Sequence, residues 1–134
     1  AGGLVVADRY CFGSMPGREE IPLEEGKDVL QSIADYYMWR NQCPRAMGPE
    51  NIIARKRYIF DLAEKYHADG IIVENMKFCE FWSYEKVLAS HILTEEMGVP
   101  CCTIEKEYAL GSVGQLRTRF QAFVESLEIK KINS

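Results

Sequence analysis

Asp69-Gly70-Ile71-Ile72-Val73 reads as a turn followed by a β-branched run, the pattern of a short buried strand. After Glu74, Asn75-Met76-Lys77-Phe78-Cys79 reads as a loop. A helix is then expected from about Ser83 to Met97, with Tyr84, Val87, Leu88, His91 and Ile92 on one face. Gly98 ends it as a C-cap and Pro100 follows. Cys101 to Glu105 is the next strand. Strand, helix, strand in that order implies parallel pairing, because a parallel return needs a crossover, and the crossover should be right-handed.

Working outward, Leu4 to Asp8 is an apolar run ending in an acid and reads as a further strand; residues 9 to 24 read as a loop. From about Gly26 to Arg40, Val29, Leu30, Ile33 and Tyr37 form one helical stripe, which Cys43-Pro44 stops. Pro49 suits a first helical turn, and a second helix is expected to about Tyr66. Its stripe is Ile52, Ile59, Ala63 and Tyr66, and Arg55, Lys56, Arg57 and Lys65 are its solvated side. Lys106 to Gly111 read as a loop. The last helix spans about Ser112 to Glu128, with Val113, Leu116, Phe120, Phe123, Val124 and Leu127 at 3.6-residue spacing. Residues 129 to 134 read as a tail. The expected fold is a three-layer α/β domain over residues 1 to 128, with a small parallel sheet flanked by helices, flavodoxin-like or Rossmann-like.

The whole composition agrees. The chain has 134 residues, 47% of them hydrophobic and 27% charged, with a net charge of −4. That suits one globular domain with its own core. A basic footprint for nucleic acid is missing, and no apolar run reaches the roughly 20 residues of a membrane span. The chain begins Ala1-Gly2-Gly3 and enters an apolar stretch directly, which we read as a piece of a longer chain. Five cysteines, Cys11, Cys43, Cys79, Cys101 and Cys102, are an odd number without zinc-type spacing. They suit a reducing cytoplasm with free thiols, or one or two metal ligands.

In open α/β sheets ligands bind beyond the carboxyl ends of the strands. Three loops leave those ends: Arg9-Tyr10-Cys11-Phe12, Asn75 to Cys79, and Lys106 through Gly114. Cys101 and Cys102 lie within a strand, point to opposite faces and read as core thiols. Cys79 lies among Phe78, Phe81 and Trp82 near a helix start, where the helix terminus and Lys77 would both favour thiolate. His91 reads as a core histidine, and His67 as a helix C-terminal residue. Gly111-Ser112-Val113-Gly114-Gln115-Leu116-Arg117-Thr118-Arg119 reads equally well as an anion site at a helix N-terminus or as a capped helix with solvated arginines.

Those same residues carry a resemblance. Asp69-Gly70-Ile71-Ile72-Val73, Lys77-Phe78-Cys79, Gly98-Val99-Pro100, Glu105, Gly114-Gln115-Leu116-Arg117-Thr118-Arg119 and Ala122-Phe123, in this order, resemble the 2-hydroxyglutaryl-CoA dehydratase D-component family, which also holds benzoyl-CoA reductase subunits. Val5-Val6-Ala7-Asp8 with Cys11 and Gly13, and Cys43-Pro44-Arg45, extend it to residues 4 to about 127. The likeness is to the C-terminal lobe of such subunits. After Gly13 a basic residue is expected, and Ser14-Met15-Pro16 stands there instead.

The resemblance implies dehydration of an (R)-2-hydroxyacyl-CoA to an enoyl-CoA through a ketyl radical, with the electron supplied by an ATP-dependent activator protein. It implies an oxygen-sensitive [4Fe–4S] cluster between two lobes, with Cys79 as one ligand; Cys11 and Cys43 stand behind it as metal candidates. Gln115, Arg117 and Arg119 become candidates for CoA phosphate or the thioester oxygen. The implied partners are a sister subunit of a heterodimer, the activator and the acyl-CoA, with no nucleic acid or membrane. The isolated domain is expected to be inactive and to hold no cluster. A benzoyl-CoA reductase subunit is the alternative within the family. A non-catalytic module binding CoA, a nucleotide or a partner is the alternative of another class, ahead of a flavin carrier.

Overall fold

The computed structural model describes residues 1–134 except 12–13, 16–18, 41–42, 46–47, 110, 112 and 134, together with the backbone but not the side chains of residues 39 and 40. Gly13, Pro16 and Ser112, which the sequence reading used, lie outside the described residues. The ordered elements are α1 (Val29–Asp35), α2 (Pro49–Lys65), β1 (Ile71–Met76), α3 (Glu80–His91), β2 (Cys101–Lys106) and α4 (Val113–Ile132). A π-helical turn extends α1 over Tyr36–Arg40, and another extends α3 over Ile92–Glu96.

Local chemistry sets several of the ends. Asp28 caps α1, its Oδ1 accepting from Leu30 N at 2.8 Å and Gln31 N at 3.2 Å. Pro49 opens α2, where its missing N–H costs nothing. Gly98, at φ 69°, lets the chain leave α3's π-turn in the left-handed region, and β2 begins three residues later.

β1 and β2 pair in parallel, Ile71 opposite Cys101 through Met76 opposite Lys106. Ile71 N donates to Pro100 O and Lys77 N to Lys106 O, both at 2.9 Å. The backbone groups of β1's odd residues therefore face β2, and those of Ile72, Glu74 and Met76 face the opposite edge. Val73, Ala89 and Leu93 form the core under α3, with Ile59, Ile71, Met97 and Cys101 packed around them. α4 supplies the remaining layer. A Cβ at Gly70 would come within 2.7 Å of Phe123 Cζ and 3.1 Å of the Leu127 methyls, so the helix seats on a bare backbone. The domain is three-layer α/β, as expected.

Several expectations change. Leu4 to Asp8 is not a strand; Leu4 is 85% and Val5 80% exposed, and the parallel sheet of the described residues has two strands. Apolar β-type sequence permits a strand, but only ladder partners make one. α1 buries Ser32 and Tyr36, while Val29, Leu30 and Tyr37 face out. α3 starts three residues early and buries Glu85 and Ala89, followed by Leu93; Tyr84 and Val87 are exposed, and so is His91, which is no core histidine. Residues 129–132 continue α4. The largest departure is on α2, where Arg55 and Lys56 are buried, not solvated.

Candidate functional site

The carboxyl ends of β1 and β2 meet in a narrow rim. Past β1 the chain turns within three residues. Lys77 N still donates to Lys106 O, Phe78 takes φ 66°, and Cys79 N donates back to Met76 O at 3.1 Å. Cys79 is the N-cap of α3, and its carbonyl accepts from Ser83 N at 2.9 Å. A left-handed conformation costs a residue with a Cβ roughly 1–2 kcal/mol. Phe78 bears that cost with its ring 97% exposed, so none of it is returned by packing. The turn leaves the Cys79 thiol half-buried at the strand's end and the helix's start.

Lys77 does not serve Cys79. Its ammonium pairs with Glu107 on the segment after β2, and the hydrogen bond to that carboxylate raises it above the usual lysine value. The pair ties the two rim loops together. Inside the rim, Asn75 is buried; its Nδ2 donates to Ser83 Oγ at 2.9 Å, and its Oδ1 has no partner among the described residues.

The other cysteines divide. Cys11 is exposed, and Cys43 is half-buried with its Sγ accepting from Arg45 Nε at 3.1 Å. Arg45 is close enough to both thiols to interact with each electrostatically. Cys101 faces α3, where burial raises its thiol despite a hydrogen bond with Ser90; Cys102 lies on the other face. Among the described residues, no three His, Cys, Asp or Glu side chains come together to hold a metal ion. At the rim itself Cys79 is the thiol on offer, and a metal cluster held there would need further ligands beside it.

Gln115 and Arg117 are exposed on the first turns of α4. Arg119 is engaged: its Nη2 donates to Thr103 O at 2.9 Å, a carbonyl on β2's outer edge. This blunts an edge strand.

Beside the rim lies a buried ionic cluster that the sequence reading missed. Glu85, Arg55 and Lys56 are each 1% exposed. Arg55 donates from Nε to Glu85 Oε1 at 3.1 Å and from Nη2 to Oε2 at 3.2 Å, and Lys56 Nζ donates to Oε1. Burial raises the Glu85 carboxyl, but the hydrogen bonds from Arg55 and Lys56 outweigh it and hold the group below the usual carboxylate range. Burial lowers Lys56, which Glu85 only partly offsets. Arg9, stacked 5.4 Å above the Trp82 ring, is pushed down to about 10 by burial, with Glu85 opposing. A signal existed: Arg55 sits three residues after Ile52 and four before Ile59, and Glu85 four before Ala89, so both hold positions of a buried stripe.

A family model described as "2-hydroxyglutaryl-CoA dehydratase, D-component" matches residues 1–127. The chain is 29% identical over 129 residues to the protein named dehydratase subunit YjiM of Escherichia coli (strain K12), covering 94% of this chain and 31% of that protein. It is 32% identical over 123 residues to the (R)-phenyllactyl-CoA dehydratase beta subunit of Clostridium sporogenes, covering 92% and 31%. It is 32% identical over 91 residues to the lactoyl-CoA dehydratase subunit beta of Anaerotignum propionicum, covering 66% and 24%. The chain thus spans at most 31% of the length of these relatives.

Proposed function

Because this chain belongs to the 2-hydroxyglutaryl-CoA dehydratase D-component family, we propose that it is a domain of a beta-type subunit of a 2-hydroxyacyl-CoA dehydratase. In this reading the enzyme removes the C2 hydroxyl and a C3 hydrogen from the (R)-2-hydroxyacyl-CoA as water, leaving an enoyl-CoA. The observation that carries it is the placing of Cys79 on a tight turn at the carboxyl rim, half-buried and at a helix start. The names of the phenyllactyl- and lactoyl-CoA relatives favour dehydration over ring reduction.

Cys79 would provide one thiolate to a [4Fe–4S] cluster whose other ligands come from beyond these residues. Such a centre, when held, supplies one-electron chemistry at low potential. The chain's own part is to fix that sulfur. The Met76–Cys79 turn and the first α3 bond anchor the backbone on either side of it. Phe81 and Trp82 lie on the first turn of α3, and Phe78 offers a bare ring that an adjoining surface could cover. Gln115 and Arg117, exposed on the first turns of α4, would meet CoA phosphate or the thioester oxygen, whereas Arg119 already donates to Thr103 O. The partners are a sister subunit, an ATP-dependent activator and the acyl-CoA, in the cytoplasm. Among the described residues no helix is long and apolar enough to cross a membrane.

The test is Cys79→Ser in a subunit of the relatives' full length, assembled with its partner and assayed anaerobically, with Cys101→Ser as control. The expected result is loss of dehydration and a changed iron content and cluster spectrum for Cys79→Ser alone. Unchanged iron and activity would mark the domain as a binding module. A stoichiometric [4Fe–4S] spectrum from the present chain alone would also overturn the ligand assignment.

A further inference from the structure

Glu85 lies on α3 six residues after Cys79, and the cationic groups that reach it come from two other segments. Each of those segments leads to a cysteine. Arg55, bidentate on Glu85, also sends Nη1 to Cys43 O at 3.4 Å. Arg9 interacts electrostatically with both Glu85 and Cys11, which stands two residues further on. Arg45 closes the circuit, bonded to Cys43 Sγ and near Cys11.

Net stability alone does not require this arrangement. Replacing a buried ion cluster with well-packed hydrophobic residues is often neutral or stabilising. What apolar packing cannot supply is direction. A fork-to-carboxylate pair fixes the angle as well as the distance between two elements.

We propose that Glu85 is a positioning residue that locks the Cys11 and Cys43 segments onto the helix beginning at Cys79, so that three thiol-bearing segments hold one arrangement about α3. The proposal rests on the reading of this rim as the working face. Its test reads local order rather than turnover, so either can fail without the other.

The experiment uses this chain, comparing wild type, Glu85→Gln and Lys56→Met. Hydrogen exchange is followed by mass spectrometry on peptides bearing Cys11, Cys43, β1 and β2, and alkylation of each thiol by iodoacetamide is timed. In Glu85→Gln, exchange in the Cys11 and Cys43 peptides and alkylation of Cys43 should rise about tenfold, as for local opening. Strand exchange and alkylation of Cys101 should rise by a clearly smaller factor, and Lys56→Met should leave all of these close to wild type, since Arg55 still grips Glu85. A uniform rise across rim and sheet would show a merely structural role and overturn the proposal, as would no change. If Glu85→Gln does not fold, Glu85→Asp, which keeps the charge but draws it back from the fork, is judged by the same contrast.

Discussion

Two apolar strand-like runs in this chain have opposite fates. Ile71-Ile72-Val73 lies in a paired strand under α3, with Val73 9% exposed, whereas Leu4-Val5-Val6 runs unpaired and largely open. Composition does not separate them. The first has β2 on one edge, α3 on one face and α4 seated on Gly70 beside it. Just before the second, a Cβ at Gly3 would lie 3.3 Å from a Val124 methyl, while Leu4 and Val5 themselves stay 85% and 80% exposed. β-propensity describes a fit to a half-buried surface, so the surface has to be there first.

The sharpest way to break this contrast is to attack what holds α3. Glu85→Leu removes the carboxylate from among buried cations and should cost about 3–5 kcal/mol, because breaking a buried pair strands its partners. Lys56→Met should cost far less or stabilise, since it also removes a desolvation penalty. Urea midpoints of the two variants check this. The acid limb follows from the same group. Glu85 is held below its ordinary value of 4.5, so the unfolded chain takes up its proton first. Its contribution is complete above pH 4.5 and is lost as pH falls through the lower folded value; wild type should weaken in that window, and Glu85→Leu should lack that component.

A smaller effect tests the other side of the sheet. Gly70→Ala would bring a methyl within 2.7 Å of Phe123 and 3.1 Å of Leu127. Overpacking of this kind costs about 1–3 kcal/mol. The loss should appear in the urea midpoint, with faster hydrogen exchange in α4 than in α3.

How much was legible follows the same division. The β1–α3–β2 unit could be read because Gly70, Gly98, Pro100 and two short β-branched or cysteine-led runs mark it locally. The Cys79 rim could be read too, since a loop leaving a parallel strand must lie there. The buried cluster was missed because Arg55 and Lys56 were sorted by charge before position, and Glu85 was given no place at all. Their spacing from Ile52, Ile59 and Ala89 placed them inside, where opposite charges thirty residues apart could meet. Arg119's bond to an edge carbonyl had no signal in the sequence, because which carbonyls a sheet leaves open depends on how many strands form.

The finest test is one substitution made in both runs. Valine to threonine keeps shape and strand propensity but adds a hydroxyl. At Val73, next to Ala89 and Leu93, the hydroxyl enters an apolar core, and Val73→Thr should cost about 1–3 kcal/mol. At Val5, 80% exposed, the same hydroxyl meets water, and Val5→Thr should fall within about 0.5 kcal/mol of wild type. Equal losses in paired urea titrations would mean that residues 4 to 8 bury their valines in solution. The edge formed by Ile72, Glu74 and Met76 is the surface whose backbone groups could receive them, and the contrast between the two runs would then be one of pairing strength rather than of partner.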